Sequence, residues 1–86
     1  MQEHIRREYI HEGKRYVEVT AHFSTVGEIR PLSLTFENKR WEIDHIYRIK
    51  QSASQKAGGF GICYDCRIGD KRCRLFLEET RWFLEL

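Results

Sequence analysis

GICYDCRIGDKRCRLFLEETRWFLEL, residues 61–86, reads as three antiparallel strands joined by two tight turns. Gly69-Asp70 suits a two-residue hairpin turn, which favours a glycine-containing pair. Centred there, the hairpin sets Ile68 against Lys71, Cys66 against Cys73, Tyr64 against Leu75 and Ile62 against Leu77. A second turn at Glu79-Thr80 sets Leu77 against Trp82, Leu75 against Leu84 and Cys73 against Leu86. One face is then apolar across all three strands. A one-residue slip would turn every side chain over, so this agreement supports the register. The second turn is its weakest point, because neither residue is glycine or asparagine. The opposite face pairs Arg67 with Arg72, Asp65 with Arg74, Cys63 with Phe76, Phe76 with Phe83 and Arg74 with Glu85.

Working outward, residues 51–60 (QSASQKAGGF) lack β-branched side chains. A helical turn over 51–58, capped by Ser52 and stopped by Gly58, fits them, as does a loop. Residues 40–50 (RWEIDHIYRIK) read as a strand whose phase breaks, since Trp41 and Ile43 share a parity that Ile46 does not. A bulge near Asp44-His45 would return Ile46 to the core and bend the strand, as small barrels require. A turn at Asn38-Lys39 would place Phe36 opposite Trp41, Leu34 opposite Ile43 and Leu32 opposite His45, with His45 partly in the core. Residues 29–36 (IRPLSLTF) form the preceding strand with Leu32, Leu34 and Phe36 inward. Pro31, which cannot donate to a ladder, marks an edge or a bulge. Val26-Gly27-Glu28 turns the chain. Residues 15–25 (RYVEVTAHFST) alternate cleanly, with Val17, Val19, Ala21 and Phe23 on one face. Residues 1–13 are a polar N-terminal segment, and residues 14–86 are a single domain. The fold expected is all-β: about six antiparallel strands in a strongly bent sheet or a small, SH3-like, partly open barrel.

The 86 residues carry a net charge of only +2, and 33% of them are charged. That composition suits one folded domain with a modest core, not a disordered chain or a strongly basic nucleic-acid binder. Five Phe, four Tyr and two Trp supply large buried areas. No apolar run reaches the length of a membrane span and no signal-peptide pattern opens the chain, so a cytoplasmic location is expected.

The three cysteines invite a metal reading, because Cys63-x-x-Cys66 has zinc-knuckle spacing. Residues three apart on a strand point to opposite faces, however, and no second pair follows. Cys66 and Cys73 face each other in the register, and two reduced, buried thiols are the simpler reading in a cytoplasmic protein. His4, His11, His22 and His45 lack ligand spacing, Glu78-Glu79 reads as a solvated turn, and Gly58-Gly59 lacks the lysine and hydroxyl of a phosphate loop. No catalytic, cofactor or metal constellation emerges, and no enzyme activity is expected.

Two surfaces remain. Phe76 and Phe83, flanked by Arg67, Arg72 and Arg74, form a candidate interaction surface for a protein partner or a second copy. An ordinary solvated face with one aromatic pair is the simpler alternative. Arg48, Lys50 and Lys56, with the same arginines, could contact phosphate while Trp41, Tyr47 or Phe60 stacks on bases. The strings IRPLSLTFENKRWEID, SASQKAGGFGICYDCRIGDK and LFLEETRWFLEL resemble a family of small uncharacterised bacterial proteins, chiefly from Gram-positive gut bacteria. The resemblance covers roughly residues 15–86. It implies no assigned activity, cofactor or catalytic residue, and the cysteines are not part of the shared pattern. Through gene neighbourhoods it implies a link to DNA repair. Together these readings give a non-catalytic interaction module, with a nucleic-acid-binding accessory protein as the alternative.

Overall fold

Alternating side chains set the strands, and turn chemistry sets where they reverse. The computed structural model describes residues 14–53 and 60–85. They form six strands: β1 (Arg15–Phe23), β2 (Ile29–Phe36), β3 (Lys39–Ala53), β4 (Phe60–Ile68), β5 (Lys71–Glu78) and β6 (Arg81–Glu85). Each pairs antiparallel with the next, and β1 returns to β6, so the sheet closes into a small barrel. Residues 51–53 continue β3 as strand, which corrects the helical turn expected from Ser52 onward; residues 54–58 lie outside the described residues.

The β4–β5–β6 meander has the register read from the sequence, from Ile68↔Lys71 to Ile62↔Leu77 and from Leu77↔Trp82 to Arg74↔Glu85. The Cys73–Leu86 pairing lies outside the described residues. Tyr64, Cys66, Leu75 and Leu84 are buried in the barrel core beside Leu34. Glu79 takes a left-handed φ of 57° in the second turn, where glycine is absent. The core therefore holds a turn that local propensity alone would not choose.

Three irregularities bend the barrel. In β3 the register shifts between Ile43 and His45 and again between Ile46 and Arg48. The first is the bulge expected near Asp44. The second, at Tyr47, follows from the same arithmetic. Isoleucines stand at 43, 46 and 49, a spacing of three on a strand of period two. One extra residue between each successive pair keeps all three on the inner parity. In β2 the register jumps from Thr20↔Ser33 to Ala21↔Pro31, leaving Leu32 unpaired. Leu32 is therefore exposed, at 43%, while Pro31 and Ser33 are buried. This corrects the inward placement of Leu32: the bulge that accommodates Pro31 turns its neighbour out. Phe23, on the inner parity at the end of β1, has run past the core and is also exposed.

The β2–β3 turn falls at Glu37-Asn38, both left-handed with φ of 56° and 61°. This corrects the Asn38-Lys39 turn: Phe36 pairs with Lys39 and Leu34 with Trp41. Moving a turn by one residue shifts the pairing by two, so no face inverts and Leu34 stays in the core. His45 is set opposite Arg67 and is exposed, which corrects its placement near the core. Beyond Ser33↔Glu42 the two strands part, β2 following β1 and β3 following β4.

Candidate functional site

The registers of β3 to β6 and β1 arrange the outer face in three rows. His45, Arg67 and Arg72 form the first, and Arg48, Asp65, Arg74 and Glu85 the second. Lys50, Cys63, Phe76, Phe83 and Tyr16 form the third. The two candidate surfaces read from the sequence are thus one continuous surface. Lys56 lies outside the described residues, as does the side chain of Phe60.

The arginines differ in what they face. Arg72 donates from Nε and Nη2 to the two carboxylate oxygens of Asp65, at 3.1 and 3.0 Å. This bidentate pair, ahead of the charges of Arg74 and Arg48, holds the Asp65 carboxyl below its ordinary pKa. The same guanidinium lies 4.2 Å from the centre of the Tyr47 ring, which meets His45 edge-on at 4.6 Å. Arg74 pairs with Glu85 at 2.6 Å. Arg48, Lys50 and Arg67 are exposed and form no ion pair among the described residues. The three unpaired cations therefore border a tyrosine whose ring is held out from the sheet by the bulge at its own position.

The aromatic pair is less open. Phe76 and Phe83 stack with centroids 4.7 Å apart and planes 8° from parallel. Tyr16 closes on Phe83 edge-on at 5.8 Å, and Lys14 Nζ lies 5.1 Å from the same ring. Phe83 is consequently only 8% exposed, although it lies on the outer face. Tyr16 also donates to Glu78 at 3.0 Å, and Lys14 donates to the other carboxylate oxygen at 3.3 Å. The Glu78 side chain is 12% exposed, which corrects the solvated reading for Glu78, while Glu79 lies exposed in the turn as read. Burial raises its pKa, but the bonds from Tyr16 and Lys14 outweigh that and leave it lowered. The closure of β1 onto β6 brings these distant groups together, and no local sequence signal foretells it.

Cys63 and Cys66 point to opposite faces, and no group of three or more His, Cys, Asp or Glu among the described residues is placed to hold a metal. Cys66 and Cys73 are buried free thiols with sulfurs 3.9 Å apart. The contact with Cys73 and then burial push the Cys66 thiol up, away from the reactive thiolate. Trp41 is turned away from the outer face: it packs against Gly69 at the far end of the barrel and lies under Lys39. Among the described residues Tyr47 is therefore the exposed aromatic on the basic face, at 42%. Among the described residues no helix is long and apolar enough to cross a membrane. No protein-family model, curated protein or solved structure matches the chain.

Proposed function

We propose that the protein is a non-catalytic interaction module that holds single-stranded nucleic acid on the outer face of β3, β4 and β5. The observation that carries this reading is the gathering of Arg48, Lys50 and Arg67 on the face that exposes Tyr47, none of them in a close ion pair among the described residues, although Arg48 stands opposite Asp65. Unpaired surface cations take phosphates with release of counterions, and a presented ring stacks on a base of any sequence. Arg72 orients Tyr47, while Asp65 and Glu85 hold Arg72 and Arg74 in place. A non-catalytic role is supported by how the perturbed groups are used: Asp65, Glu78 and Cys66 each serve a contact between strands. The small barrel also supports an SH3-like binding architecture, a fold-level analogy.

The test is fluorescence anisotropy of labelled oligothymidine at low salt. Binding is expected with a slope of log affinity against log salt of about −2, for three phosphates neutralised. Arg48→Glu with Arg67→Glu should abolish it, and Phe23→Ser should leave it unchanged. No anisotropy change at low salt would remove the reading.

A second reading, a protein partner or self-association, is favoured by a different region. Phe23, Val26 and Ile49 are 66%, 79% and 52% exposed toward the β1–β2 hairpin end. The covered Phe76–Phe83 pair offers less apolar surface.

A further inference from the structure

β2 and β3 pair only from Ser33↔Glu42 to Phe36↔Lys39. Past that point they diverge, and between their edges lies a cleft of about 440 Å³. Ile29 and Arg30 of β2 form one wall, Ile49 and Gln51 of β3 the other, and Ile62 and Tyr64 the floor. Among the described residues, neither wall has a strand pairing with its cleft-side edge. The carbonyl of Ile29 instead accepts from the Tyr64 hydroxyl across the cleft.

We propose that this cleft takes an extended peptide segment of another protein, with alternating apolar and acidic residues, as an added strand on β3. The backbone supplies the first argument. An unpaired strand edge is a template for main-chain hydrogen bonds, and a strand laid about 4.8 Å away would satisfy both chains. Side-chain parity supplies the second. Ile49 faces into the cleft, so alternate side chains of the incoming strand meet Ile49, Ile29 and Ile62 and must be apolar. Arg48 and Lys50 flank Ile49 on the outer parity, so the intervening side chains lie beside two unpaired cations. Opposite charges on adjacent strands stabilise the pairing, and like charges oppose it. The two bulges of β3 and its cations also discourage indiscriminate edge pairing, so charge selects the partner. This site shares Arg48 and Lys50 with the proposed nucleic-acid face, and Ile49, which serves only the cleft, tells the two apart.

The probe is a fluorescein-labelled peptide alternating Glu with Ile or Val over seven residues, titrated into the full chain. A second peptide has the same composition with its apolar residues contiguous. Saturable binding of the alternating peptide is expected, with slowed amide exchange confined to residues 46–51. Ile49→Glu, at an exposed position, should keep the thermal midpoint and weaken binding at least about tenfold. Oligothymidine binding should persist in Ile49→Glu, separating this site from the outer face. Equal binding of the two peptides, absence of saturation, protection elsewhere, or occupation of the cleft by a second copy in light scattering would each overturn the proposal.

Discussion

Gly61 shows how one atom constrains this barrel. A Cβ there would lie 2.5 Å from the carbonyl oxygen of Leu77, on the backbone of the neighbouring strand. A side chain could move aside, but a paired strand cannot. Gly61→Ala is therefore expected to destabilise the fold by about 1–3 kcal/mol in urea unfolding, and an unchanged midpoint would show that β5 yields there. Gly69 is constrained differently, by a left-handed φ of 56° and by the Trp41 ring, which would lie 3.0 Å from an added Cβ. Leu32 and Tyr47 are the converse case, apolar or aromatic side chains turned outward by irregular register. Tyr47 thereby becomes a ring with Arg72 on one side and open surface nearby.

At the scale of elements, the joint that closes the barrel is β1 on β6, and Glu78 of β5 fastens it through Tyr16 and Lys14. The lowered Glu78 pKa fixes the sign of its pH dependence. Its ordinary value is 4.5, so its contribution is complete above that pH and is lost as pH falls through the lower folded value. Glu78→Gln should lower the thermal midpoint near neutrality and flatten its fall between about pH 5 and about pH 3; parallel curves for the two proteins would contradict this role. The β4–β5–β6 meander was legible because apolar parity and a Gly69-Asp70 turn agree, and each strand contacts its sequence neighbour. The β3 bulge at Asp44 was legible because Ile46 breaks phase. The second, at Tyr47, required carrying the three-residue spacing on to Ile49. Leu32 misled because a bulge beside Pro31 overrides alternation, and Glu78 misled because its partners come from the other end of the chain.

For the whole molecule, the small net charge conceals its distribution. Cations concentrate on the outer face of β3 to β5, where Arg48, Lys50 and Arg67 remain unpaired among the described residues. These basic residues are already named together from the sequence as candidate phosphate contacts. Their union depends on β3 pairing with β4 through two register shifts; the isoleucine spacing within β3 signals the shifts, but no pattern within either strand gives the pairing itself. At the far end of the barrel Trp41 packs beside Gly69 and lines a smaller cavity of about 220 Å³, while the larger cleft of about 440 Å³ opens at the β1–β2 hairpin end. The two regions suit different partners. The most direct measurement is an amide chemical-shift map of the full chain titrated with oligothymidine. Perturbations are expected at His45, Tyr47, Arg48, Lys50 and Arg67, with the β1–β2 hairpin unchanged. Shifts centred on Phe23 and Val26, or none at low salt, would contradict the assignment of this face.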